Sequence, residues 1–345
     1  MATLTAVPKA SRGTKERPLI SVIVPTLNEE RYIGGVLDDM LGQEGLDADI
    51  EVLVADGGST DKTREIVAKY AIDHNVRLVD NPHRHQVFGY NLAIKAARGS
   101  IVCVIHAHAR FAKTYLARCL EAKERTGAAN VGGVVRHQGE GPVGKAIALA
   151  MSSPLGVGDS KYRHTTREQW CDSVMGTFMD RRIFDEIGFY NESNLVNEDC
   201  ELNYRLRRGG YRVLVSPGIE ATYYVRPSLI GLVKQYVRYG FYRRWTEVQH
   251  PHSVPWRVYA PPALLVGLLL SMVVAILGHP ILGSIVPLLY LGFLGIGFLD
   301  GARRSKRLSL ALLEPVAIAA MHLAFGFGWL RGLVTLRAPR TASSA

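Results

Sequence analysis

The chain has 345 residues, 48% of them hydrophobic, and a formal net charge of +10. That length holds one large domain or two smaller ones, and the hydrophobic fraction excludes a chain too polar to fold. The positive balance implies anionic partners. Without a nucleic-acid-binding motif or an internal repeat, it points to anionic lipid and phosphate-bearing substrates, and not to nucleic acid.

Residues 1–17 are polar and basic, lack the apolar core of a signal peptide, and read as a disordered tail. Residues 19–25 are apolar and β-branched and predict a buried strand. Pro25-Thr26-Leu27-Asn28-Glu29-Glu30 ends it, and residues 32–41 have helical spacing. A strand at 50–54, a helix at 62–70, a strand at 76–79, a helix at 86–97 and a strand at 101–105 follow. This alternation predicts an α/β domain with a mostly parallel sheet covered on both faces. Ligands of such sheets bind beyond the carboxyl ends of the strands, where residues 25–29, 56–61 and 106–110 fall. After an apolar run at 131–135, the glycine-rich stretch 139–158 reads as a long loop, either an acceptor-binding lid or a surface excursion. The four cysteines, Cys103, Cys119, Cys171 and Cys200, have no metal or redox spacing and fit a reducing compartment.

In residues 228–257, Ile230, Val233, Val237 and Phe241 recur at helical spacing. Lys234, Arg238, Arg243 and Arg244 interleave there with Tyr236, Tyr239, Tyr242 and Trp245, which suits an amphipathic helix at a membrane surface or a solvated basic face. Residues 258–277 and 281–299 are nearly uncharged and long enough to cross a bilayer. His279-Pro280 turns one into the other. A third stretch, 308–334, carries Glu314, Pro315, His322 and Arg331, and either spans or lies in the interface. Arg303, Arg304, Lys306 and Arg307 after the second span, with the arginines before the first, predict a cytoplasmic catalytic domain on a multi-pass inner-membrane anchor. A third span would carry Arg337 and Arg340 of the 337–345 tail outside, mildly against that rule.

Two acidic patches carry the chemistry. Ala55-Asp56-Gly57-Gly58-Ser59-Thr60-Asp61 ends the second strand, where a carboxylate and glycines meet a nucleotide. Asn197-Glu198-Asp199 opens a helical stretch, where an acidic pair serves as a proton acceptor or only stabilises the helix end.

With Ser21-Val22-Ile23-Val24-Pro25-Thr26-Leu27-Asn28-Glu29, Ser153-Pro154-Leu155-Gly156-Val157-Gly158 and Gln235-Tyr236-Val237-Arg238-Tyr239-Gly240, these patches resemble family 2 glycosyltransferases of the GT-A fold. The likeness runs over about residues 19–245, with the apolar tail in character, and leans toward the bacterial succinoglycan-type enzymes. It implies a GT-A domain at 18–227 and a membrane-anchored inverting glycosyltransferase. Such an enzyme moves a hexosyl group from a UDP-linked donor to a lipid-linked saccharide acceptor. Transfer to polyprenyl phosphate and a non-catalytic nucleotide-sugar scaffold are the alternatives.

By the same resemblance, Pro25, Thr26 and Glu29 line the nucleoside pocket and Asp56 accepts from the base, although it could instead cap the next helix, as could Ser59 or Asp61. Asp199 is the general base with Glu198 beside it. Arg238, and Arg243 or Arg244, contact diphosphate or lipid phosphate. The departure from the family is His106-Ala107-His108, which stands where an acidic metal motif is usual. His108 keeps the metal-ligand position and suits manganese, while the lost acid disfavours magnesium. Direct phosphate contact by the histidines, or a degenerate site, are the other readings.

Overall fold

The computed structural model describes residues 17–336, so the two tail assignments, apart from Arg17, lie outside the described residues. Arg17 donates to the Leu46 and Ala48 carbonyls and belongs to the domain. Strand β1 (Leu19–Thr26) leads to α1 (Ile33–Leu41), β2 (Asp49–Asp56), α2 (Thr63–Asp73), β3 (Val76–Asp80), α3 (Gln86–Ala96) and β4 (Ile101–Val104). Then come β5 (Ala109–Phe111), α4 (Tyr115–Thr126), β6 (Asn130–Gln138), α5 (Gly141–Met151), α6 (Pro154–Val157), β7 (Gln169–Cys171) and β8 (Thr177–Asp180). The catalytic portion closes with α7 (Ile183–Ile187), α8 (Glu198–Arg208), β9 (Val213–Tyr224) and α9 (Leu229–Gln249).

The main sheet has the order β3-β2-β1-β4-β8. Its first four strands are parallel, and β8 joins β4 antiparallel as the far edge. Side-chain alternation divides the core in two. Val22, Val24, Val52, Val54 and Cys103 pack under α1 and α4. Ile23, Leu53, Val102 and Val104 pack under α3, α7 and α8. A second sheet has β9 between β5 and β6, with β7 also on β9. In-register pairing brings Thr26, Asp56 and Asp80 to one edge, the carboxyl ends of the parallel strands.

The stretch 139–158 is not a long loop. It folds into α5 and α6 because Val143, Ile147, Ala150 and Met151 have an apolar partner in the tail. The tail is α10 (Ala260–Ile276), α11 (Pro280–Ser305) and α12 (Leu308–Thr335), three helices long and apolar enough to cross a membrane. They differ in what they touch. The α10–α11 hairpin exposes most of its leucines, isoleucines and valines and meets the α/β domain near its base, where Phe293 and Leu294 pack on the cluster of α5, α9 and α12. One flank of α12 is covered by α5 and α9 through Ala317, Ile318 and Met321, while Leu308, Leu312, Val316 and Phe327 remain exposed on the other. Helix α9 is therefore not a peripheral surface helix. Leu232, Tyr236 and Gly240 form its buried face, whereas Ile230 and Val233 of the expected apolar stripe are exposed.

The approach of α9 to α12 is close. A Cβ at Gly240 would sit 2.0 Å from the Phe325 carbonyl oxygen, and one at Gly328 2.0 Å from that of Val237. Small residues let helix backbones meet in this way. Gly240→Ala and Gly328→Ala are each expected to cost about 1–3 kcal/mol by overpacking. The readout is a lowered thermal midpoint in detergent. Gly292→Ala, whose Cβ meets nothing within 4 Å, leaves the midpoint unchanged.

Candidate active site

The loops after β1 and β2 are clasped together. The Asn28 amide donates to Ser59 Oγ at 2.9 Å, and the Thr60 amide donates back to Asn28 Oδ1 at 2.8 Å. Asp61 accepts from the Thr63 amide and supports the start of α2. Between this clasp and the segment after β4 lies a small cavity of about 210 Å³. Pro25, Thr26, Glu29, His106 and His108 line it with Asn81, Arg84, His85 and Gln86.

Asp56 is not among the lining groups. Its side chain is fully enclosed and accepts from the amides of Gly58 and Ser59, from Ser59 Oγ and from Arg64 Nη1 at 2.9 Å. Burial raises its pKa, but these donors outweigh burial and hold it below the ordinary value. Both oxygens accept from the turn and from Arg64, so Asp56 organises the loop that borders the cavity. Asn81, missed in the sequence, borders the cavity and has a buried acceptor without a partner. It is 3% exposed, its amide nitrogen donates to the His85 carbonyl, and that acceptor is Oδ1. An asparagine just past a strand end in the His83-Arg84-His85-Gln86 neighbourhood was the available signal.

His106 and His108 have ring centroids 6.0 Å apart. Burial first, then the charge of His108, pushes the His106 pKa down to about 3, so its imidazole stays neutral. His108 Nδ1 lies 3.5 Å from Glu29 Oε1. No group of three metal-ligating side chains occurs among the described residues. One imidazole and one carboxylate fit a divalent ion shared with ligand oxygens, but not an ion held by protein alone.

His85, Gln86, His106 and His108 also border a second cavity of about 770 Å³. Glu198 and Asp199 enter it from the first turn of α8. Asn197, left-handed at φ 60°, sets that turn, and its amide donates to the Tyr239 carbonyl at 3.0 Å. Glu198 is buried and accepts from Gln86 Nε2 at 2.6 Å. Burial, then the neighbouring Asp199 charge, raises its pKa. Asp199 is half-buried and is also raised by burial, but Arg243 and Arg163 pull it back. The coupled pair as a whole therefore holds a proton to higher pH than separate carboxylates would.

Arg238 and Arg243 line this cavity, and Arg243 donates to Cys200 Sγ at 3.3 Å. Arg244 does not line it. It turns to the other face of α9, pairs with Glu247 at 3.0 Å and stacks over Trp329. Lys234 of α9 lines the cavity too, and Arg163 and Arg226 are cavity-lining cations that sequence reasoning missed, because they lie on separate elements without periodicity. Among the described residues none of Arg163, Arg226, Lys234, Arg238 or Arg243 has a carboxylate within 4.0 Å.

Residues 21–188 match the family described as Glycosyl transferase family 2. The succinoglycan biosynthesis protein ExoA of Rhizobium meliloti (strain 1021) is 31% identical over 92% of this chain and 95% of its own length. The chain belongs to glycosyl transferase family 2. It is an inverting glycosyltransferase with an α/β GT-A-like domain and apolar C-terminal helices. A Methanococcus voltae relative is 26% identical over 91% of this chain and 97% of its own. That relative is the dolichyl N-acetyl-alpha-D-glucosaminyl phosphate 3-beta-D-2,3-diacetamido-2,3-dideoxy-beta-D-glucuronosyltransferase. The Pyrobaculum calidifontis mannosyltransferase PcManGT, solved with GDP-Man and Mn2+, shares the fold at TM-score 0.58 and 20% identity, over 92% of this chain and 88% of its own.

The carboxylate pair carries a stability prediction for the glycosyltransferase. The folded-state pKa of Glu198 is raised, so its contribution is complete below the unfolded value and is lost as pH rises. Between about pH 5 and pH 9, the wild-type thermal midpoint should fall further than that of Glu198→Gln, which has no proton to lose. Parallel pH curves would contradict the assignment.

Proposed function

We propose that this glycosyltransferase moves a hexosyl group from a UDP-linked donor to a lipid-linked saccharide at the cytoplasmic face of the inner membrane. The observation that carries the reading is one cavity, bordered by Asp199, by unpaired arginines and by apolar side chains of the tail helices. The nucleoside lies between Pro25, Thr26 and Glu29, and Asn81 Oδ1 accepts from the base. The acceptor hydroxyl gives its proton to Asp199 as its oxygen attacks the anomeric carbon from the face opposite the nucleotide. The C–O bond to the diphosphate breaks, and the electron pair leaves with it. Arg238 and Arg243 stabilise that developing charge. Protonated Glu198 keeps a second negative charge away from the base and, through Gln86, ties α8 to α3.

PcManGT was solved with Mn2+, and His108 with Glu29 would hold such a cation against the donor diphosphate, whose charge it would partly neutralise. The acceptor class follows ExoA, named for succinoglycan biosynthesis, and the dolichyl-phosphate glycan enzyme. Helices α10 and α11 insert as a hairpin, and α12 lies at its base in the interface, because one flank of α12 is occupied by α9. Arg303, Arg304, Lys306 and Arg307 at the base keep that end cytoplasmic.

Asp199→Asn is expected to lower UDP-hexose turnover about 10²–10⁴-fold. Glu198→Gln, the isostere of the protonated acid, retains most of it. Unchanged turnover in Asp199→Asn would remove the base assignment. His108→Ala should abolish any manganese dependence of UDP binding, measured calorimetrically with and without EDTA. A cysteine at Gly278, the hairpin tip, should be labelled in intact cells by an impermeant maleimide from outside the inner membrane. Labelling only after lysis would reverse or cancel the insertion.

A further inference from the structure

Arg163 sits on a single turn, Lys161–Arg163, between α6 and β7, half-buried in the wall of the large cavity. Its setting is built. Nε donates to Tyr162 Oη at 3.2 Å, and Nη1 lies 3.4 Å from His137 Nε2. The guanidinium carbon stands 5.2 Å from the centre of the Tyr162 ring. His137 Nδ1 lies 3.2 Å from Ser152 Oγ. Burial first, then the charge of Arg163, keeps His137 neutral, so Nε2 is free to accept from the arginine. No carboxylate lies within 4.0 Å of Arg163 among the described residues, and Nη2 has no hydrogen-bond partner.

A guanidinium oriented this carefully and left without a counter-ion loses hydration with no compensating pair. A ligand anion supplies the missing partner, and arginine's planar fork suits phosphate oxygens. The neighbouring wall is apolar, with Met151, Leu155, Phe293 and Met321 from α5, α6, α11 and α12. A cation without a counter-ion beside an apolar wall formed partly by tail helices fits a phosphate with a hydrocarbon chain. Arg163 also favours the ionised form of Asp199, so the two lie within electrostatic reach across the cavity.

We propose that Arg163, supported by His137 and Tyr162, seats the phosphate of the acceptor's lipid carrier, with the carrier chain leaving along the wall between α6 and α11–α12. This rests on the lipid-linked acceptor reading above. The same phosphate chemistry could come from the donor diphosphate, and the test separates the two. The full chain in nanodiscs is titrated with farnesyl diphosphate, farnesol and UDP, using wild type, Arg163→Gln and Arg163→Lys.

Arg163→Gln should weaken farnesyl diphosphate binding about tenfold or more, as expected for a lost charge-assisted contact. UDP affinity and thermal midpoint stay near wild type, and Arg163→Lys falls between, which also covers poor folding of the glutamine variant. Equal loss of UDP affinity, or no loss for either ligand, overturns the proposal. So does wild type that binds farnesol as tightly as farnesyl diphosphate. Wild type that binds UDP but neither lipid would instead remove the lipid-acceptor reading beneath it.

Discussion

The contact between α9 and α12 is the constraint on which the rest of the molecule depends. One face of α9 gives the cleft Lys234, Arg238, Tyr239 and Arg243. The adjoining face gives α12 Leu232, Tyr236 and Gly240, with Tyr236 shared by both and backbone meeting backbone at Gly240 and Gly328. A wall shared in this way cannot shift against the tail without separating two packed helices. A second tie lies below it. Ser153, at the start of α6, donates to Asp300 of α11 at 3.0 Å, and Arg304 joins Asp300 to the buried Glu314 of α12. Breaking a buried pair of this kind leaves an uncompensated charge, which is costly. The cleft and the apolar tail helices are therefore one mechanical unit.

That architecture explains the charge distribution. A net charge of +10 spread evenly would only aid solubility. Here several cations converge on a cavity whose carboxylates are Glu198 and Asp199, and Glu198 is held neutral by burial. The empty cleft carries a positive excess that self-repels. Phosphate groups placed there would relieve that repulsion, which favours anionic ligands. Asp199 feels the same field: burial raises its pKa, and Arg243 and Arg163 oppose that rise.

Much of this was legible in the sequence, for identifiable reasons. Strands β1, β2 and β4 are short β-branched runs, and buried parallel strands leave that signature. Asn197-Glu198-Asp199 stood out as an acidic pair at a helix start, although the helix dipole alone also favours acids there. Other features depended on partners distant in sequence. Residues 139–158 looked like loop because glycine masks the apolar period that α12 covers. Asp56 looked like a ligand residue because motif position does not reveal that Ser59 and Arg64 close over it. Arg243 and Arg244 were inseparable as neighbours, yet one helical step of about 100° sends one into the cleft and the other to Glu247 and Trp329. Arg163 carried no pattern at all.

The replacement of an acidic motif by His106-Ala107-His108 changes where leaving-group stabilisation comes from. With His106 neutral, Glu29 is the carboxylate nearest His108, and a cation there has fewer negative partners than an acidic motif would provide. A weaker hold on the cation leaves more of the diphosphate charge to protein groups. Arg238 and Arg243 stand in the cavity without carboxylates of their own, free to take up that charge. Fixed guanidinium groups need no recruitment from solution and little reorganisation when the bond breaks. The histidines and the unpaired arginines are thus two sides of one electrostatic arrangement. On the proposed function, the nucleotide end has less negative charge than an acidic motif would give it, and the α9 wall offers the positive charge for departure of the diphosphate.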